Sequence, residues 1–166
     1  MSRLPRLLLL PLLLLAPACG GEEAPSFRDA SDAITQGQKA RANKDWPLAA
    51  AAFEYVAGSN DAPAEMRFDA LLGLGQAQAR LGQAGSAQAA FDRLLREFPD
   101  RVDADLLKTI GDAWIYAGDP DRAEAVARMG AERFPDSEYW GKLGEAIEAV
   151  RSGASAADLA QLGYTD

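Results

Sequence analysis

Histidine and cysteine, two side chains that often do chemistry in proteins, are nearly absent from this chain of 166 residues. Histidine does not occur, and Cys19 is the only cysteine. These absences exclude histidine-dependent catalytic triads, cysteine–histidine nucleophile pairs, histidine-ligated zinc or haem sites and internal disulfides. The thiol of Cys19 is therefore the one reactive group that needs a specific explanation.

Closely spaced carboxylates are the other possible source of chemistry, because burial can separate their pKa values and create an acid–base pair. Such pairs are Glu22 with Glu23, Asp103 with Asp105, and Asp119 with Asp121. The first lies in a segment without helical pattern, the second opens a predicted helix and the third flanks a turn proline. We interpret all of them as helix caps or solvated surface. We therefore expect a protein that is not an enzyme and that carries no metal or cofactor.

The first eighteen residues have the composition of an export signal. In chain order they comprise a basic start at Arg3 and Arg6, an apolar stretch at residues 7–15, and the small residues Ala16-Pro17-Ala18 before Cys19. A helix across the hydrocarbon of a bilayer needs about 20 residues. The apolar stretch is much shorter than that, and its length suits the core of a signal peptide.

The segment Ala16-Pro17-Ala18-Cys19 resembles the lipobox of bacterial lipoproteins. In that family the cysteine sulfur receives a diacylglycerol, a peptidase cuts just before the cysteine, and acyl chains such as palmitate anchor the product. The resemblance implies a signal peptide over 1–18 and a lipidated Cys19 at the start of a flexible tether over 19–29. Gly20 after the cysteine implies the outer membrane, on its periplasmic side. The alternative is an ordinary secretory signal, which would release a soluble periplasmic protein without lipid.

The chain that follows the signal is acidic. All 25 acidic residues lie beyond Cys19 together with 15 of the 17 basic residues, which gives a formal charge of −10. Such a surface repels phosphate backbones, so we expect no binding to nucleic acid. The expected partners are proteins or peptides of the cell envelope, besides the bilayer that would hold the acylated Cys19.

Three stretches of the chain align with one another and indicate a repeated unit. In each stretch a glycine precedes an alanine by twelve residues, in the pairs Gly37 with Ala49, Gly75 with Ala87, and Gly111 with Ala123. Four residues after each alanine come Phe53, Phe91 and Ala127, respectively. A Phe-Pro-Asp sequence then closes the second and third stretches at Pro99 and Pro135.

This pattern resembles the tetratricopeptide repeat, a 34-residue helix–turn–helix unit. The resemblance covers residues 30–137 and implies an all-α fold, a short α-solenoid of about three such units. Turn residues agree with it, since Gly118-Asp119-Pro120 offers a C-cap glycine, an N-cap carboxylate and a first-turn proline. We expect Asp45 to form the turn between the helices of the first unit, and Gly82 with Gly85-Ser86 to form that of the second.

Residues 138–166 are predicted to form a C-terminal helical cap, as the open end of a solenoid requires. A stripe of apolar residues predicts one helix in this segment. Ser155 is expected to cap a second, short helix that ends at Gly163. A true fourth repeat is the alternative. Trp46, Trp114 and Trp140 could line a ligand groove, but core packing between helices is the favoured expectation for Trp46 and Trp114. Trp140 either packs on the last repeat or faces a partner.

In tetratricopeptide stacks the first helix of each unit contributes to a concave groove. The resemblance assigns to this groove Ile34, Gln38, Arg41, Asp69, Leu72, Gln76, Arg80, Asp105, Lys108, Asp112 and Tyr116. This mixture of apolar side chains and charges of both signs suits an extended peptide, although a plain solvated face remains the alternative. Some family members grip a C-terminal carboxylate with lysines and asparagines, but Ile34, Gly73 and Asp105 stand at the matching places here.

The function that follows by analogy is protein binding by a membrane-anchored envelope lipoprotein, as a scaffold or an assembly or accessory factor. One alternative is a ligand-binding or catalytic accessory protein for the cell wall that uses Asp69, Asp105 or Asp112. That alternative requires at least one of these carboxylates to be buried. The other alternative is the same repeat protein in soluble, non-lipidated form.

Overall fold

The computed structural model describes residues 25–164, and this part of the chain is helical without any strand. Its helices are α1 (Ala30–Ala42), α2 (Trp46–Gly58), α3 (Ala64–Arg80), α4 (Ala84–Glu97), α5 (Ala104–Tyr116), α6 (Pro120–Arg133), α7 (Tyr139–Arg151) and α8 (Ala156–Gln161). A short 3-10 turn at Pro99–Arg101 joins α4 to α5. The expected signal peptide, Cys19 and the first part of the expected tether lie outside the described residues.

The helices stack in the order in which they occur along the chain. Helices α1 and α2, α3 and α4, and α5 and α6 form three helix–turn–helix pairs, and α7 packs on α6. Helix α3 also contacts α1 and α5, and α7 contacts α5, so that the first helices of successive pairs lie side by side. The fold predicted from the sequence is confirmed: an all-α, tetratricopeptide-like solenoid. Between residues 25 and 164, no helix combines the length and the apolar character needed to cross a bilayer.

Capping explains where several helices begin and end. The Asp119 carboxylate accepts a hydrogen bond from the Arg122 N–H at 3.1 Å, directly after Gly118 in the left-handed conformation at φ +68°. Asp45 accepts from the Leu48 N–H at 3.2 Å and opens α2 as predicted. The prediction for the second unit was partly wrong: α4 begins at Ala84 without a side-chain cap, so Gly85-Ser86 lies inside its first turn.

Glycines in the first helices let aromatic rings of the second helices approach closely. A β-carbon built on Gly37 would lie 2.8 Å from the Phe53 ring, and one on Gly75 would lie 2.3 Å from the Phe91 ring. Both rings are buried at 1% exposure. The glycine and phenylalanine positions that define the repeat in the sequence are thus the positions where its two helices touch.

In the third unit Ala127 stands at the phenylalanine position and has no ring, so another helix fills the space beside the glycine. Leu143 of α7 comes within 2.8 Å of the place where a β-carbon of Gly111 would lie, and Leu143 is fully buried. Trp140 packs over Gly130 of α6, and its indole N–H donates to the Phe134 carbonyl at 2.8 Å. Helix α7 therefore completes the third unit and covers it. Ser155 caps α8 reciprocally with Asp158, as predicted.

Candidate functional site

A cleft of about 280 Å³ lies where α1, α3 and α5 end, on the face that their side-by-side packing creates. Five of the residues assigned to the groove from the sequence line it, namely Arg41, Gln76, Arg80, Asp112 and Tyr116. Trp46, Thr109 and Ala113 complete the lining. The register taken from the repeat resemblance therefore brings side chains from three helices into one cavity.

Arg80 lies between two aromatic rings in this cleft. Its guanidinium carbon is 4.1 Å from the centroid of the Tyr116 ring and 5.2 Å from that of the Trp46 ring. Both distances are within the range of cation–π attraction. Arg80 is also the last residue of α3, where the helix dipole favours a positive charge. These contacts place the guanidinium of Arg80 in the lining of the cleft.

Trp46 departs from the core position expected from the sequence. It is the first residue of α2, is only partly buried, and contributes its ring to the wall of the cleft. Because α2 begins beside the ends of α1 and α3, a side chain on its first turn faces the cleft. Trp114, by contrast, is buried at 1% exposure against Phe91, as expected.

The other polar residues of the cleft are connected across helices. The Arg41 guanidinium donates to the side-chain oxygen of Gln76 at 3.1 Å and links α1 to α3. The Asp112 carboxylate pairs with Lys108 at 2.9 Å and accepts a hydrogen bond from the Tyr139 hydroxyl. The Asp112 carboxylate is thus bound by Lys108 of its own helix and by Tyr139 of α7. The Arg41 guanidinium, in contrast, donates to a neutral amide.

A second pocket, of about 460 Å³, continues from the cleft along α3 and α5 and shares Thr109 with it. Its walls are Phe68, Leu72, Arg101, Asp103, Asp105, Leu106 and Thr109. Arg101 covers the Phe68 ring with its guanidinium carbon 3.6 Å from the centroid and pairs with Glu65 at 2.6 Å. We call the cleft and this pocket together the α3–α5 furrow. Leu72 and Asp105 of the sequence-derived set lie in this second part.

The remaining residues of the set lie elsewhere. Ile34 belongs to the hydrophobic core at 9% exposure, so it packs the solenoid and offers little surface to a ligand. Gln38 and Asp69 are exposed but line neither part of the furrow. Lys108 is exposed, with its ammonium 4.8 Å from the Tyr139 ring centroid.

The carboxylates named for a catalytic role do not form a buried acid–base pair. Asp69 and Asp105 are exposed, and the Asp112 side chain is ion-paired with Lys108 while still 21% exposed. No group of three or more acidic or cysteine side chains between residues 25 and 164 is arranged to hold a metal ion. Nothing in this geometry favours the catalytic alternative.

Tyr139 and Tyr164 are distant from α5 in sequence, but both contact residues of α5 that line the cleft. The Tyr164 ring packs on Tyr116 at 5.8 Å between centroids, and its hydroxyl lies 3.3 Å from that of Tyr139. Burial raises the pKa of Tyr164 to about 12, and burial together with the hydrogen bond to Asp112 raises the pKa of Tyr139. The sequence analysis missed both tyrosines as neighbours of the site, because no spacing pattern connects them to α5.

Comparison with known protein families places part of the chain in a described family. Residues 82–147, which include α4 to α6 and most of α7, match the family model described as tetratricopeptide repeat. No curated protein and no solved structure matches the chain. The family match and the helix–turn–helix solenoid together support a tetratricopeptide-repeat protein.

Proposed function

We propose that this protein is a membrane-anchored envelope lipoprotein whose solenoid binds partner proteins, as a scaffold or as an assembly or accessory factor. Tetratricopeptide repeats generally mediate protein–protein contacts, which supports the binding role. The single observation that carries the proposal is the α3–α5 furrow. It joins a cleft with two arginines to a pocket with leucine and phenylalanine walls, on the face where first helices meet.

The shape and lining of the furrow suit a peptide better than a small metabolite. Its two parts are joined end to end, and its polar groups are spread along it rather than gathered around one centre. Binding of an extended segment needs apolar pockets for alternate side chains and polar groups that fix the direction of the chain. The partly buried Leu72 supplies an apolar contact, while Arg41 and Arg80 supply polar groups.

The proposed anchor rests on the sequence. Cys19 is the only cysteine and directly follows a basic start, an apolar stretch and three small residues. Acyl chains contribute about 0.8 kcal/mol for each buried CH₂ group, so two or three chains would anchor the protein stably on a membrane. The proposed location is the periplasmic side of the outer membrane.

Mass spectrometry of the protein from its native membrane tests the anchor. We expect a chain that begins at Cys19 and carries a diacylglycerol and an acyl group, and a Cys19→Ser variant that leaves the membrane fraction. Ser26→Ala, a few residues along the chain, serves as the control and should stay membrane-bound. An unmodified chain in the soluble fraction would instead establish the secreted, lipid-free alternative.

Site-specific photocrosslinking in intact cells tests the binding surface. A photoreactive amino acid at Tyr116, in the furrow, should capture partner proteins, whereas one at the exposed Arg128 of α6 should not. Both positions are on the solenoid, so both variants sample the same compartment and concentration. Equal capture at the two positions would show that the furrow is not the binding site.

A further inference from the structure

We infer that the solenoid lies on the bilayer with the end of its first unit that carries Phe27 and Tyr55, so that the cleft opens away from the membrane. Apolar residues line a shallow hollow at this end, and we call them the aromatic patch: Pro25, Phe27, Ala51, Tyr55 and Gly58. The proposed occupant of the patch is the headgroup region of the lipid surface that holds the acylated Cys19. This inference rests on the lipid anchor of the proposed function and specifies how the anchored solenoid is oriented.

Tyr55 gives the patch a chemistry that suits a lipid surface. Among the aromatic residues between 25 and 164 it is the most exposed, at 43%, and the Phe27 ring packs beside it with 5.5 Å between centroids. Two hollows, of about 570 and 330 Å³, share Tyr55 and Ser59 as walls, so the tyrosine stands between them. Tyrosine combines an apolar ring with a polar hydroxyl, and such side chains are enriched where a membrane meets water.

The patch is also close along the chain to the proposed anchor. Pro25 lines the hollow six residues after Cys19. A chain spans at most about 3.3–3.6 Å per residue, so Pro25 stays within roughly 22 Å of the acylated cysteine. Phe27 packs against the hydrophobic core, which ties the first unit to the same short reach. The other exposed large apolar side chains, Met129 and Leu162, belong to the third unit and to the C-terminal cap. The anchor therefore brings the patch, rather than those side chains, to the membrane.

This orientation places the cleft on the far side of the first unit. Trp46, which lines the cleft, begins α2, and Tyr55 lies nine residues later, near the end of the same helix. With a rise of about 1.5 Å per residue, the two residues are roughly 13 Å apart along the helix axis. The second hollow agrees, because it is lined from the beginnings of α1 and α3, whereas the cleft lies where these helices end. A membrane at Tyr55 therefore leaves the cleft open to the aqueous side, where a partner protein can enter it.

The charges around the patch make this contact depend on the anchor. Three acidic residues line the two hollows, namely Glu54, Asp29 and Asp61. The Arg28 guanidinium, also in the lining, pairs with Asp32 at 3.2 Å. This excess of acids opposes free binding to an anionic membrane surface. The anchor offsets the repulsion because it keeps the patch at a high effective concentration beside the lipid. Phosphatidylethanolamine, whose headgroup carries an ammonium group, is the lipid that suits these acids.

Fluorescence quenching in vesicles tests the orientation. Two exposed asparagines flank α2, Asn43 at the end of the cleft and Asn60 at the end of the patch. Acylation blocks the Cys19 sulfur, so Asn43→Cys and Asn60→Cys each provide a single thiol for a fluorophore. The acylated protein would be reconstituted into vesicles of phosphatidylethanolamine and phosphatidylglycerol that contain a lipid with a nitroxide on its headgroup. The fluorophore at position 60 should be quenched severalfold more strongly than the one at position 43.

A further substitution separates contact with the lipid from mere proximity to it. Tyr55→Ser in the Asn60→Cys protein should reduce the quenching while the protein stays in the membrane fraction, because the patch loses its most exposed ring. Met129→Ser removes an exposed apolar side chain from α6 and is the matched control, which should keep the quenching. Circular dichroism of each variant verifies that the solenoid is folded.

The outcomes separate the inference from the proposed function. If acylated protein in the vesicles were quenched equally at the two positions, or more strongly at position 43, the orientation would be wrong and the anchor would stand. Quenching that Tyr55→Ser leaves unchanged would likewise overturn the inference and would leave the patch as a surface for proteins. A chain that carries no lipid and does not enter the vesicles would overturn both the inference and the proposed anchor.

Discussion

Gly75 of α3 and Phe91 of α4 are in direct contact: a β-carbon on the glycine would lie 2.3 Å from the Cε1 atom of the ring. Real β-carbons do not approach other atoms that closely. Phe91 is 1% exposed and also packs edge-on against Trp114, so the ring has little room to shift. The glycine is therefore required by the close approach of two helices.

We expect Gly75→Ala to destabilise the protein by about 1–3 kcal/mol, because the added methyl group overpacks the contact with Phe91. Alanine is intrinsically the better helix former by about 1 kcal/mol, so a net loss of stability identifies the steric effect. Urea unfolding followed by circular dichroism measures the change.

Gly144→Ala is the matched control, because it adds the same methyl group inside α7 where a β-carbon would meet no atom within 4 Å beyond the adjacent residues and its own helix backbone. It should raise the free energy of unfolding by about 0.5–1 kcal/mol. If the two glycine variants changed stability in the same direction, the proposed contact between Gly75 and Phe91 would be wrong.

Leu143→Ala should remove the contact that joins α7 to the third unit. Leu143 is fully buried and fills the space beside Gly111, so we expect a loss of about 2–5 kcal/mol in the free energy of unfolding. Leu162→Ala deletes the same atoms from a residue that is 39% exposed and should cost less than about 0.5 kcal/mol. Thermal unfolding of the two variants tests the difference, and equal losses would contradict it.

The parts of this fold that the sequence predicted are those fixed by local spacing. The interval of twelve residues from glycine to alanine, and four more to phenylalanine, identified the faces on which α1 and α2, and α3 and α4, meet. Side chains at these intervals lie on defined faces of a helix, so a short pattern carries three-dimensional information. The same register brought Arg41, Gln76, Arg80 and Tyr116 into one cleft.

The parts that the sequence did not predict depend on contacts between distant segments. Nothing near Tyr139 or Tyr164 indicates that either would contact α5, since the packing angle of the cap decides it. Trp46 was expected in the core because an aromatic at that place is commonly buried between helices. Its partial exposure arises from the neighbouring ends of α1 and α3, which no local pattern encodes.

The raised pKa values of Tyr139 and Tyr164 predict that the free energy of unfolding falls at high pH. The pKa of Tyr164 is raised from its ordinary value of 10 to about 12, so the folded state keeps a proton that the unfolded state releases. Its contribution to stability is therefore complete below pH 10 and disappears as the pH rises towards 12. Tyr139 has a raised pKa as well and acts in the same direction.

Measuring the free energy of unfolding between pH 8 and 12 tests this pH dependence. The Tyr139→Phe, Tyr164→Phe double variant should show a smaller decline above pH 10 than the unmodified protein does. Tyr55→Phe changes an exposed tyrosine of α2 and should leave the decline as it is. An identical decline in all three proteins would show that these hydroxyls are not responsible.

Trp46 gives an optical test of the cleft. Its ring is partly exposed there, whereas Trp114 is buried, so acrylamide should quench Trp46 more strongly. We expect Trp46→Phe to lower the quenchable share of the tryptophan fluorescence, and Trp114→Phe to raise it. A Trp46→Phe variant with unchanged quenching would place that ring in the core after all.

The Phe53 ring has a consequence for the order in which the protein opens. It contacts Gly37 in its own unit and also Gly73 in the next, within 2.8 and 2.6 Å of where their β-carbons would lie. One ring therefore belongs to two units, and neither can be released without disturbing the other. We expect the amides of α1 to α4 to exchange with deuterium as a single cooperative block, later than those of α8 at the other end.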